Sequence, residues 1–162
     1  MDRRQIGFKL TMDALGREVT VGSFDDRLIL QKAMYLAQAA GVQLGYFYRW
    51  YLYGPYCPQV ADDAFAVSTD VAQGMNDADD WELDEQSKSK LAAVRDWMKG
   101  EGQEVARKLE LLASVHFLVE RKQVSSRDAA EIGQVLRRFD KEFSDEQVEW
   151  ALGELGKHDM LA

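Results

Sequence analysis

Between Tyr46 and Tyr56, seven of eleven consecutive residues are aromatic, and no other feature constrains the fold as much. Wound into a helix, YFYRWYLYGPY would put bulky rings on every side, solvent included, and restrict their rotamers against the preceding turn. Aromatics suit a pleated, half-buried surface instead, and Gly54-Pro55 interrupts the run. The stretch therefore reads as a strand or extended segment over 46–53 followed by a turn. Alternation sends Tyr48, Trp50 and Leu52 to one face and Phe47, Arg49, Tyr51 and Tyr53 to the other, so that one set is core and the other is in excess. A bulge near Arg49 or Gly54 would invert the assignment.

The flanking segments read as helices. Ile6, Leu10 and Leu15 fall near one face of a helix over 3–15, with Gly16 as its C-cap. Ser23 and Asp26 cap a helix over 25–40 whose apolar residues Ile29, Ala33, Leu36, Ala37 and Ala40, widened by Leu30 and Met34, imply a central position. Pro58 opens a helix to about Gln73 with Val60, Ala61, Ala64, Phe65 and Val71 inward and Gly74 as its stop. Leu91, Val94, Trp97 and Met98 mark another over about 84–99, broken by Gly100 and Gly102. The strongest stripe, Val105, Leu109, Leu112, Val115 and Val119, predicts a core helix over 103–122. Ser125 with Asp128 caps the next, ending near Phe139 or Asp140. Ser144 with Gln147, stapled by Phe143 and Val148, opens the last, over 145–155. The expected fold is mainly α, about two-thirds helical: a single compact domain of six to seven helices with a short aromatic β-strand or small hairpin. Residues 1–74 form its N-terminal part and 83–162 its C-terminal part, joined by a mobile acidic linker over about 75–82.

Composition narrows the function classes. Twenty basic against 28 acidic residues give a net charge of -8, which repels a phosphate backbone unless the basic residues segregate. In sequence they do not: Arg3, Arg4 and Lys9 lie at one end, Arg137, Arg138 and Lys141 near the other. The densest charge run, DADDWELDE over 77–85, reads as a solvated linker, with nucleic-acid mimicry or a basic partner as the alternative. No apolar run approaches the ~20 residues of a membrane span, and no signal-peptide core opens the chain, so a cytoplasmic protein is expected. Cys57, the one cysteine, excludes an intrachain disulfide or a multi-cysteine metal site and is expected to be half-buried.

Chemistry-bearing motifs are sparse. His116 falls on the apolar face of the core helix and reads as a satisfied core histidine; His158 reads as stabilising a helix end. Asp25/Asp26 and Asp62/Asp63 are explained by the N-terminal turns of their helices, and Asp79/Asp80 adds a third acidic pair; a carboxylate nuclease would need more convergence than adjacency gives. There is no GxxxxGKS/T or GxGxxG loop. No catalytic residue, cofactor or metal ligand is assigned. The last three helices have the spacing of a winged helix-turn-helix. However, Asp145, Glu146, Glu149 and Glu154 against Lys157 give the final helix a charge of -3, and the residues up to Ala162 are expected to be too few for a wing.

RLILQKAMYLAQAAG (27–41), YRWYLYGPYCPQVADD (48–63) and LELLASVHFL (109–118) together resemble the YwgA-like family of small bacterial and archaeal proteins across most of the chain. Over about 27–65, Leu30-Gln31-Lys32, Tyr35, Trp50, Tyr53, Gly54, Pro55 and Tyr56 also resemble the SocA-like, Panacea-type antitoxin domain. Cys57 stands where that motif commonly has serine, and a capping role is retained. The resemblance implies a mainly helical fold and binding of a co-encoded protein in a toxin–antitoxin, phage-defence or mobile-element setting. It supplies no catalytic residue. The expected partner-binding surface is Arg49, Trp50, Tyr51, Tyr53, Gly54, Pro55 and Tyr56, rich in the residue types of binding hot spots. A homodimer is an option. A transcriptional regulator using the C-terminal helices is the alternative, and a hydrolase with an unrecognised acidic site is third. On charge grounds random duplex DNA should show no mobility shift at micromolar protein and physiological salt; a sub-micromolar, salt-sensitive shift would favour the regulator.

Overall fold

The computed structural model describes residues 1–162 and is mainly α, 62% helical, with eight helices and one two-stranded hairpin. In chain order these are α1 (Arg3–Ala14), α2 (Phe24–Ala39), β1 (Arg49–Tyr51), β2 (Gly54–Tyr56), α3 (Pro58–Ala72), α4 (Glu85–Lys90), α5 (Ala92–Trp97), α6 (Gly102–Glu120), α7 (Ala129–Arg138) and α8 (Asp145–Lys157). A 3-10 turn spans Asp77–Asp80.

The centre is the pairing of α2 with α6, the most extensive in the molecule. Every residue of α2 from Ile29 to Ala37 is buried, so its neighbours enclose the helix rather than cover one stripe. On one side α1 and α3 pack together, and α3 also meets α2; on the other, α8 packs on α6 and α7. The hairpin lies over both central helices through β2. One cluster of 39 buried apolar side chains runs from Phe8 to Met160. No helix is long and apolar enough to cross a membrane.

Local chemistry explains most element ends. Ser23 accepts from Asp26 N at the start of α2, and Ser144 and Gln147 form the reciprocal capping box of α8. Gly16, Gly41, Gly74 and Gly100 follow helices with positive φ.

Several expectations are corrected. The inward face of α1 is Phe8, Thr11 and Met12, continued by Leu15, whereas Ile6 and Leu10 are half-buried beside the 41–44 loop. In α3 the buried set is Val60, Asp63, Ala64 and Val67, and Phe65 and Val71 are exposed. Its spacing of i, i+3, i+4, i+7 includes a carboxylate that hydropathy would place outside. The helix expected over 84–99 divides at Leu91 into α4 and α5; α4 buries no residue, so no packing holds it in line with α5. The acidic stretch is partly anchored, with Ala78 buried and Asp77 Oδ2 2.6 Å from the N-terminal ammonium. Asp128, not Ser125, caps α7; the Ser125 and Ser126 hydroxyls donate instead to Glu131. Cys57 is fully buried and precedes α3 without a capping hydrogen bond from its side chain.

Asp63 ties three elements together. Its carboxylate accepts from Arg4 Nε at 2.7 Å, Tyr46 Oη at 2.7 Å and Gln5 Nε2 at 3.4 Å. Burial, first, and the Asp63 contact raise the Tyr46 phenol well above its ordinary range, so the phenol stays a donor. Asp63→Ala removes the acceptor, leaving a buried hydroxyl unpaired and Arg4 without its partner. We expect it to lower unfolding free energy by about 2–4 kcal/mol in urea titrations; a loss below about 0.5 kcal/mol, the size of a neutral surface change, would show that α1 and α3 do not depend on it.

Candidate functional site

The segment from Tyr46 to Cys57 crosses α2 and α6 with only two short strands of its own. Their register pairs Arg49 with Tyr56, Trp50 with Pro55 and Tyr51 with Gly54. The two-residue connection is therefore Leu52-Tyr53, and Gly54-Pro55 belongs to β2 rather than to the turn. An extended chain this short leaves backbone groups without ladder partners, and buried ones must be satisfied elsewhere.

Side chains of the helical body supply the partners. Gln38 donates to Tyr46 O at 3.0 Å and accepts from Tyr46 N at 2.8 Å. Two helical turns earlier, Gln31 donates to Cys57 O at 2.8 Å and accepts from Cys57 N at 3.1 Å. Each amide thus pairs with the backbone as a neighbouring strand would. Lys32 Nζ donates to Pro55 O at 2.7 Å, Lys141 Nζ to Leu52 O at 3.1 Å and Arg121 to Tyr48 O at 3.3 Å. Five carbonyls of the segment are held in this way.

The clamp brings charge inside. Lys32 is 1% exposed, and Lys141 and Glu110 are also buried, with Lys141 Nζ 2.7 Å from Glu110 Oε1. Two cations thus face one carboxylate. Desolvation first, then the field of Lys141, against the smaller opposing effect of Glu110, lowers the Lys32 ammonium to about 7. Gly54 lies against this cluster with φ +91°, and a Cβ there would fall well inside the contact distance of Ser114 Oγ, so both backbone conformation and space demand glycine. Ser114 is fully buried and its hydroxyl has no hydrogen-bond partner. Sealed beneath Gly54, it is placed as a packing residue rather than as a nucleophile.

His116 is satisfied within the core. Its Nε2 lies 2.9 Å from Met160 O, which can only accept, so Nε2 carries the proton and Nδ1 accepts from Tyr35 Oη at 2.7 Å. Burial lowers its pKa and favours this neutral form. His158 packs edge-on against Trp97. No three His, Cys, Asp or Glu side chains converge in metal-binding geometry.

The residues expected to form a partner surface divide. Alternation holds from Tyr46 to Tyr51, with Tyr46 and Tyr48 buried and Phe47, Arg49 and Tyr51 exposed. It fails at Leu52, which alternation places on the face of Tyr48 and Trp50 but which is 68% exposed at the turn. Arg49, Tyr51 and Tyr53 face outward; Tyr56 is half-buried. Gly54 and Pro55 are buried, and Trp50 packs on Phe117 and Phe139 at ring separations of 5.6 and 5.1 Å. Tyr53 meets Phe24 edge-on at 5.0 Å, and Tyr51 meets Tyr56 at 5.6 Å.

Behind these rings lies a cavity of about 260 Å³, between the hairpin and the first turns of α2 and α3. Phe24, Leu28, Ala61 and Phe65 line it with the tyrosines, while Arg27, Gln31 and Lys32 supply its nitrogen-bearing side chains. Sequence reasoning missed the cavity. The available signal was the second stripe on α3, Ala61 and Phe65 beside Val60 and Ala64, which is wider than one packed neighbour needs.

Lys32 also gives the clamp a pH signature. Below about pH 7 folded and unfolded chains both hold its proton; between about 7 and the ordinary value near 10.5 only the unfolded chain does, so stability contributed at this site rises with pH across that window. From about pH 7 to 9 the wild type should gain on the order of 1–2 kcal/mol relative to Lys32→Met, measured by chemical denaturation. Parallel pH profiles would refute a depressed Lys32. Set against known proteins, the chain is matched by no family model, by no curated protein and by no solved structure.

Proposed function

We propose that this chain is a noncatalytic protein-interaction module, antitoxin-like or adaptor-like, that binds a co-encoded partner through the outer face of its aromatic hairpin. The observation carrying this reading is the exposed cluster of Phe47, Tyr51, Leu52 and Tyr53, with Phe47 88% and Tyr51 61% exposed, on a segment whose backbone is tied to buried side chains. Large rings pre-positioned on a clamped backbone bury area at little conformational cost, as binding hot spots do. The resemblance of 27–65 to the SocA-like antitoxin domain supplies the class of partner. The regulator reading gains less support, because the exposed face of α8 carries Asp145, Glu146 and Glu149, a surface that repels phosphate.

The experiment is co-expression with the product of the adjacent gene, followed by purification through one tagged chain. Tyr51→Ala with Tyr53→Ala should leave the melting temperature within a degree or two, as exposed substitutions do, and weaken partner capture at least about tenfold. Trp50→Ala, which strips a ring from Phe117 and Phe139, should lower the melting temperature instead. Capture unaffected by the Tyr51/Tyr53 pair would move the functional surface away from the hairpin.

A further inference from the structure

The cavity behind the hairpin has a chemical character that partner binding by the outer face does not use. Its walls are aromatic and aliphatic, and its side-chain charges are of one sign, Arg27 and Lys32, with no carboxylate among the lining residues. On a chain with a net charge of -8 this is a local reversal. Neither cation has an ion pair of its own: Arg27 donates to Val21 O, and Glu110, the carboxylate that bears on Lys32, is engaged by Lys141. Lys32 spends one of its three donors, on Pro55 O. A buried cation without a counter-ion is costly, and an incoming anion would relieve that cost.

We propose that this cavity binds a small monocarboxylic acid with an apolar body, the tail against Phe24, Leu28 and Phe65 and the carboxylate drawn to Lys32 and Arg27. A volume of about 260 Å³ lies just below the usual range of ligand pockets and suits roughly a dozen heavy atoms. A free acid fits better than a peptide. Peptide groups would bring amide donors and acceptors to a site where the Gln31 amide is already committed to Cys57, and unpaired polar groups are penalised there. The groups bearing on Lys32 are Lys141 and Glu110, with Arg27, Tyr53 and Tyr56 along the cavity. Lys32 itself is lowered to about 7, so binding should weaken as pH rises through that value.

The test uses the whole chain without any partner, so it stands or falls apart from the proposed interaction function. Octanoate and octanamide, matched in size but not in charge, are titrated calorimetrically at about pH 6 and about pH 9, either side of the Lys32 transition. Octanoate should bind saturably with one site and a dissociation constant below about 1 mM at the lower pH, at least about tenfold tighter than octanamide, and about tenfold weaker at the higher pH. Ala61→Phe, which fills the cavity while keeping both cations in the chain, should abolish binding while melting cooperatively. Arg27→Gln should weaken it while leaving the pH dependence in place, because Lys32 remains. No saturable octanoate binding, equal binding of octanamide, pH-independent affinity, or undiminished binding by Ala61→Phe would each overturn the proposal.

Discussion

The structure depends on the way a short extended segment has its backbone polar groups satisfied by side chains of helices. A two-stranded hairpin is at best marginal alone, and this one has three residues per strand. It persists because Gln31, Lys32 and Gln38 of α2, with Arg121 and Lys141, answer carbonyls of the hairpin and of the residues flanking it from Tyr46 to Cys57. The same need explains why polar residues sit in the buried centre of α2. Gln31 and Lys32 lie within the continuous buried run of α2, where an unpaired amide or ammonium would cost several kcal/mol.

That solution shapes the outer surface. With the backbone fixed from below, the pleat sends Tyr46 and Tyr48 inward and leaves Phe47, Arg49 and Tyr51 outside. The Leu52-Tyr53 connection carries two more large side chains to the tip, where Tyr53 leans on Phe24. The exposed rings are thus a by-product of alternation that a pre-positioned binding surface can use. Bringing cations beneath the hairpin has a second effect, because the clamp holds one more ammonium than carboxylate. The adjoining cavity inherits that imbalance.

Helices were largely legible from local chemistry. Caps at Ser23 and Ser144, glycines after α1, α2 and α3, and the stripe of α6 each act within a few residues, so a reading confined to neighbours finds them. Boundaries failed where two local signals competed, as at α7, where Asp128 capped in place of Ser125 and Glu131 drew the serines to itself. The break at Leu91 had no local mark, since it reflects where α5 meets the core and α4 does not.

The sequence by itself determined the mainly helical class, the extended character of the aromatic stretch and the alternation of its first six residues, because propensity and pleat are properties of adjacent residues. Tertiary structure alone decided that Asp63 is buried with Tyr46 and Arg4, that Lys32 lies beneath Pro55, that Gly54 must clear Ser114, and that a cationic apolar cavity opens behind the hairpin. These facts join residues 17 to 60 positions apart. Whether a buried charge finds its partner depends on how the helices are placed in space, which no local pattern encodes.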